Sequence, residues 1–586
     1  MYDEFVKKKD VKREAYSLGG VQHIAGCSEP PRSSHDGGIA KFERNNPRQV
    51  LISEAIAKMI IRDLQAVQIV ENKGFQDLLQ LLEPRYTPEP CYYIQQQLPG
   101  YAYQVQMATK QVLTAAESCS ITLDVWRSGS GRGRGRGGGY LGVTCHFITG
   151  DWQIKSALLA CLPLAGHNTA QHVLSEFEEI SHTHGIVGKV FRVVADPFPC
   201  WSGFQLPGFC LHGSEEEEDG EEDNSDEEMG AGVGVGMEAV DNSLDLCFGP
   251  CRIACFTRTL GLCVREGLRS SPQLSIALTK AACFYNYVTA TVPPEKLGQV
   301  FGTGGVRAPP GITHGEQCWN WQLKAVRRML ESAEFLEDIV DRHDLTLSSF
   351  EKEVLRELVD VMEPFEEATD MVQGDKHVSV SLALPCVLGL RKHLAETAIR
   401  QCTGMLLGLA QALDRRLAAI LEDPLHVTAT ALDPQFKLSW SSDIKWHRQV
   451  LLKETAKHLQ AAVGGGSPQL PRQEPQLPPS KRSKLFSFMK QCQTSQTNSV
   501  EQELDTYLHE DTRDEDPLHY WKRKATDFPQ LSQVAKKVFT VPATTTPVER
   551  IFHTVGKILR PKRCRPLPQN LETLIYLKAN YHFLWT

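Results

Sequence analysis

Five cations, Lys557, Arg560, Lys562, Arg563 and Arg565, follow one another closely near the end of the chain. Basic groups at this density suit phosphate oxygens, because each Lys or Arg that neutralises a phosphate releases condensed counterions. Immediately before them, Thr546, Pro547 and Glu549 spell a helix start. Thr is the cap, Pro the first helical residue, and Glu stands three positions after the cap, where it can bond the free N–H groups of the first turn. Ile551, Phe552 and Val555 then fall on one face. The pattern predicts a short buried helix with a basic exit. The cations fit a phosphate grip and, equally, a solvated turn at the negative end of the helix dipole.

Two other basic stretches are weaker. Arg132, Arg134 and Arg136 alternate with glycines and read as a flexible loop between strands. Lys481-Arg-Ser-Lys484 follows two prolines and reads as a nuclear localisation signal. Seventeen cysteines include no Cys-x-x-Cys. The tightest group, Cys247, Cys251 and Cys255, lacks the usual zinc spacing, so no metal site is assigned and the thiols are expected to be free and buried.

These residues need a scaffold of several cores, since 586 residues exceed one ordinary domain. No apolar run approaches the roughly 20 residues of a spanning helix, and the first residues lack the apolar centre of a signal peptide, so an intracellular protein is expected. The formal charge of −8 hides an asymmetry: residues 215–228 hold eleven acidic groups, and the remainder sums to +3. A near-neutral body with an acidic tether permits nucleic-acid binding without demanding it.

Along the chain, residues 1–45 read as a disordered leader. From Asn46-Pro47 to residue 115, helical spacing of Val50, Ile52, Ile56, Met59, Ile60, Leu64 and Val67, then of Phe75, Leu78, Leu79 and Leu82, predicts a helical module. Over 116–200 the period changes. Ile121–Trp126, Tyr140–Ile148 and Ile154–Pro163 read as strands, His167–Ile180 as an amphipathic helix, and Lys189–Ala195 as a buried parallel strand. Residues 201–245 form an acidic and Gly-rich tether, 246–463 a helical region, 464–499 a linker, and 500–586 a C-terminal domain. In the last, Asp516-Pro517 opens a helix on which Leu518 and Trp521 stand a turn apart. Phe528, Leu531, Val534 and Val538 extend an apolar set beyond what that short segment buries alone. That set suits either a contact between copies or a cover for the chain's own helices.

The Thr-rich Thr544–Gly556 stretch with Lys562-Arg-Cys-Arg565 resembles the hAT family of DNA transposases, whose C-terminal domain carries Ser-Glu-Arg-x-Phe-Ser-x-x-Gly followed by Lys-Arg-x-Arg. Asp516-Pro-Leu-His-Tyr-Trp-Lys522, Phe528-Pro-Gln-Leu531, Trp319-Asn320 and Leu432-Asp-Pro-Gln-Phe-Lys437 extend the resemblance over most of residues 46–586. It implies an α/β plus all-α protein: an RNase H-like domain split by a large helical insertion, with an N-terminal helical module and a C-terminal hAT dimerisation domain. It nominates Asp124, Asp196 and Glu549 as a carboxylate trio for two-metal strand chemistry. It also favours Leu518, Trp521, Phe528 and Leu531 as a dimer contact; the five cations directly follow the helix begun at Glu549, a position from which they would grip phosphates near the carboxylates. Many animal relatives begin with a BED-type zinc finger, whose spacing this sequence lacks.

Three departures point away from catalysis. Asp196 is followed by Pro-Phe-Pro-Cys-Trp where the family has Asn-Ala-x-Asn-Met, a polar turn exchanged for a rigid apolar one. The family's Cys-x-x-His is Cys255-Phe-Thr-Arg258, and arginine cannot act as a neutral acceptor or ligand. Arg-Trp-Asn-Ser has become Cys318-Trp-Asn-Trp321. The expectation is a domesticated, catalytically inactive, transposase-like nuclear protein that self-associates, contacts DNA or chromatin, leaves membranes alone and needs no cofactor. The alternatives are an active Mg²⁺-dependent transposase and an interaction scaffold without DNA binding.

Overall fold

The computed structural model describes residues 40–127, 139–164, 170–195, 206, 248–291, 318–334, 336, 342, 344–374, 376–463, 500–546, 550–551 and 568–583. They divide into two compact units, Met1–Ser53 with Lys73–Pro88, and Glu54–Asn72 with Glu89–Thr586. In the smaller unit the Lys41 ammonium donates to Gln80 Oε1 at 2.7 Å and to the Pro84 carbonyl at 2.9 Å, and Arg85 lies over the Phe42 ring.

The first helices are α1 (Pro47–Asp63), α2 (Lys73–Leu82) and α3 (Cys91–Ala115). Strands β1 (Cys119–Arg127), β2 (Gly139–Ile148) and β3 (Ile154–Leu164) follow, then α4 (Ala170–His184), β4 (Val190–Ala195) and the two-residue β5 (Arg252–Ile253). The sheet order is β3-β2-β1-β4-β5. The first three strands pair antiparallel, whereas β1 with β4 and β4 with β5 run parallel. One face is apolar. Ile121, Leu123, Val143, Cys145 and Phe147 pack there with Leu113 of α3 and with Val173, Phe177 and Ile180 of α4.

The other face of β1 and β2 carries Ser120, Thr122, Thr144 and His146, all buried. Burial of such groups favours partners, and all but the Thr144 hydroxyl have one among the described residues. Thr122 Oγ1 is 3.0 Å from His146 Nε2, and Ser120 Oγ is 2.8 Å from Thr540 Oγ1 in the C-terminal region. The edge strand is closed in the same manner. Asn580 accepts the Leu158 N–H at 3.0 Å and donates to the Leu158 carbonyl at 2.8 Å, completing at an edge the pairing that a further strand would give.

Helices α5 (Phe256–Arg269), α6 (Pro272–Thr291), α7 (Cys318–Glu331), α8 (Ser349–Val372), α9 (Val380–Glu396) and α10 (Thr403–Arg416) share the largest core. Ser348 and Glu351 form a capping box at the start of α8. Glu357 accepts the N–H groups of Arg400, Gln401 and Cys402 at 2.8–3.1 Å, satisfying the backbone just before α10. Where α5 meets α10 the backbones nearly touch, since a Cβ on Gly404 would lie 2.5 Å from the Ser270 carbonyl oxygen.

A separate core gathers α11 (Pro424–Leu432), α12 (Ile444–Val463), α13 (Val500–His509), α14 (Pro517–Lys524) and α15 (Pro529–Val538) around Phe191 and Val194 of β4. The last helix is α16 (Pro568–Ala579), next to Asn580. Among the described residues no helix is long and apolar enough to cross a membrane.

Candidate functional site

Asp124 stands near the C-terminal end of β1, opposite Gly142 of β2. On its other side the parallel register pairs Leu123 with Ala195, the residues that precede Asp124 and Asp196 in sequence. Asp196 and Glu549 lie outside the described residues, as do all five cations from Lys557 to Arg565.

What meets Asp124 is an arginine. Arg258, in the first turn of α5, donates from Nη2 to Asp124 Oδ2 at 3.2 Å, and the carboxylate is only 5 % exposed. α5 is fixed there by the C-terminal segment. The Phe256 N–H bonds the Ala543 carbonyl at 2.9 Å, and Thr257 Oγ1 is 3.1 Å from Thr544 Oγ1, which is 2.6 Å from Thr546 Oγ1. The Cys255 thiol donates to Thr544 Oγ1 at 3.5 Å and accepts the Thr545 N–H at 3.4 Å. The Thr-rich segment and the start of α5 are thus stitched together by buried hydroxyls, with Arg258 held over the strand end. Cys251 is exposed, Cys255 is spent in this network, and Cys247 lies outside the described residues.

A guanidinium on Asp124 does not fit the divalent cation that the active alternative requires. Both would compete for the same oxygens, and two like charges at a half-dry carboxylate repel strongly.

The expected dimer contact has a different place. Leu518, Trp521, Phe528 and Leu531 are all buried within the single chain, Trp521 completely. The Trp521 indole N–H donates to the Leu432 carbonyl at 2.8 Å, and the Tyr507 hydroxyl donates to the Ala431 carbonyl at 3.0 Å. Within the chain these side chains pack against α11 and α12, which fill the apolar face that their own short helices leave.

The residues that make this joint have no role assigned by the sequence patterns. Lys437, buried and with a φ of 47°, donates to the Tyr507 carbonyl at 2.7 Å and the Glu510 carbonyl at 2.5 Å, while burial lowers its pKa. Asp433 accepts from Ser381 Oγ at 2.7 Å and the Gln435 N–H at 3.0 Å, and burial pushes its carboxyl up to about 6. Glu503 accepts the Gln530 and Leu531 N–H groups at 3.0 and 3.1 Å, capping α15 from another helix. The available signal was charge inside otherwise apolar stretches, Leu432-Asp-Pro-Gln-Phe-Lys437 above all.

Residues 503–581 match the hAT family C-terminal dimerisation region, and residues 122–200 match the ZBED1 RNase-like domain. The chain carries two domains of hAT-derived proteins. Human zinc finger BED domain-containing protein 4 is 24 % identical over 94 % of this chain and 45 % of its own length. Human zinc finger BED domain-containing protein 6 is 23 % identical over 91 % of this chain and 56 % of its length. The Arabidopsis thaliana zinc finger BED domain-containing protein DAYSLEEPER is 21 % identical over 89 % of this chain and 72 % of its length. The chain thus spans about half the length of the two human relatives. The match to the dimerisation region supports self-association.

Proposed function

We propose that this chain is a domesticated, catalytically inactive hAT transposase-like protein of the nucleus that self-associates and acts as a DNA- or chromatin-associated factor. Its sheet is read as an RNase H-like core split by the helical insertion. The β3-β2-β1-β4-β5 order supports this reading, as does the docking of Asn580, just after α16, on β3. One observation carries the loss of chemistry: the Arg258 guanidinium lies on Asp124, the one nominated carboxylate whose surroundings are described. Arginine keeps its charge at any working pH, so it cannot step aside as an imidazole can. The relatives' names, all BED-type zinc finger proteins, support the nuclear and DNA-associated part.

The test is calorimetry with Mn²⁺ and Mg²⁺, joined to a strand-cleavage assay on the full chain. The wild type is expected to show neither cleavage nor metal binding that depends on Asp124. A two-site isotherm lost in Asp124→Asn, or Mg²⁺-dependent cleavage, overturns inactivity and restores the transposase reading.

A further inference from the structure

On β4 the pairing with β1 slips. Cys119 faces Val190 and Ile121 faces Val193, so Phe191 and Arg192 together oppose Ser120. Such a bulge re-aims side chains that would otherwise alternate. Here it sets a cation beside a buried ring. The Arg192 guanidinium carbon lies 4.1 Å from the Phe191 ring centre, and the Lys537 ammonium, in the last turn of α15, lies 5.1 Å from it. His458 meets the same ring edge-on at 5.2 Å.

Both cations are half-buried, yet neither has a carboxylate within ion-pair distance among the described residues. Arg192 donates only to the Phe191 carbonyl, at 2.9 Å, and the Lys537 ammonium makes no hydrogen bond or ion pair there. The nearby acids bond other groups and act on the Arg192 charge only from beyond ion-pair distance. Asp423 is 2.5 Å from His426 Nδ1, and Glu454 is 3.4 Å from Lys457 and 3.8 Å from His458. Lys536, next along, pairs with the exposed Glu117 at 3.7 Å. Lysines often sit at helix C-termini to bond the last carbonyls, but the Lys537 ammonium bonds none. Desolvation lowers the pKa of both Arg192 and Lys537, and the Arg192 charge lowers that of Lys537 further. Two partly desolvated cations on one apolar floor are an arrangement that a bound anion would stabilise.

We propose that Arg192 and Lys537 form a binding site for a backbone phosphate of duplex DNA, built on the Phe191 bulge. The guanidinium offers a planar fork and the ammonium a point charge, both matched to phosphate oxygens. The choice of DNA rests on the DNA-associated reading above.

The experiment measures anisotropy of a short fluorescein-labelled duplex of random sequence with the full chain, over a range of NaCl concentrations. Arg192→Gln with Lys537→Gln is expected to weaken binding roughly tenfold at physiological salt. It should also flatten the plot of log K against log salt by about 1 to 2, since each phosphate left unneutralised removes about 0.9 from the slope. Lys392→Gln, at an exposed lysine near Glu396, serves as the charge-loss control and is expected to match the wild type. Lys537→Gln alone, with an unchanged melting temperature, keeps the test valid if the double variant does not fold. A folded variant with wild-type affinity and slope overturns this site while leaving the DNA reading intact. A wild type that binds no duplex overturns both.

Discussion

At the joint between the helical region and the C-terminal region, charged side chains of a family-like motif hold backbone. Lys437 bonds one carbonyl in the last turn of α13 and one just after it, Asp433 holds α9 and its own turn, and the carbonyl of Leu432 receives the Trp521 indole. At the end of β1 the charged residues of a motif that departs from the family hold each other, Arg258 on Asp124. The first arrangement uses charge to fix architecture and leaves nothing for a ligand. The second spends a cation on a nearly buried carboxylate.

Trp521 is where this contrast between the two regions is most easily broken. Trp521→Ala removes a completely buried ring and the donor to Leu432, so a stability loss of about 4 kcal/mol is expected in chemical denaturation. A folded variant that merely dissociates from a dimer would return Trp521 to an interface role.

Asp433 sharpens the contrast. With its carboxyl raised from 3.8 to about 6, the folded state holds a proton that the unfolded state has already lost. Stability should therefore fall as pH rises from about 4 to 6, by on the order of 2 kcal/mol, and level off above. In Asp433→Asn, denaturation midpoints across that window should lose this slope. A variant with the wild-type slope would place the titration elsewhere.

At the carboxylate end the effect is smaller than at Trp521, because Arg258 is partly exposed, at 17 %. Arg258→Ala should cost about 2 kcal/mol at neutral pH, and Asp124→Asn combined with it should recover part of that loss, as expected of a coupled pair. Purely additive losses in the thermal melts would mean that the two residues act independently and that the guanidinium is not the metal's replacement.

Periodicity by itself located the four longer strands and the first helices, and marked 246–463 as helical without resolving its separate helices. Ile121–Trp126, Tyr140–Ile148 and Ile154–Pro163 fall within observed strands, and the helix predicted from Asn46-Pro47 is observed as Pro47–Asp63, ending before Leu64, whose φ is 50°, so that Leu64 and Val67 of the predicted spacing lie beyond it. Local signals suffice there because alternation and helical spacing report which faces are buried. The predicted helix His167–Ile180 is observed as Ala170–His184; its end is set by Gly185, whose φ of 67° is a left-handed stop that apolar spacing does not report. Sequence also supplied Asp124 and the unusual Arg258, but not that they touch. Their contact joins residues 134 positions apart and depends on how the Thr544–Thr546 segment anchors α5. Nor could it tell an apolar set that binds a second copy from one that covers the chain's own core, since both bury the same side chains. The β5 strand was missed because two residues carry no period. The polar second face of β1, which reads as exposed from alternation, is buried: Thr540 arrives from more than 400 residues away as the partner of Ser120, and His146 of β2 meets Thr122. Only the tertiary structure decides such matters, because alternation records side-chain polarity and not which distant segment will satisfy it.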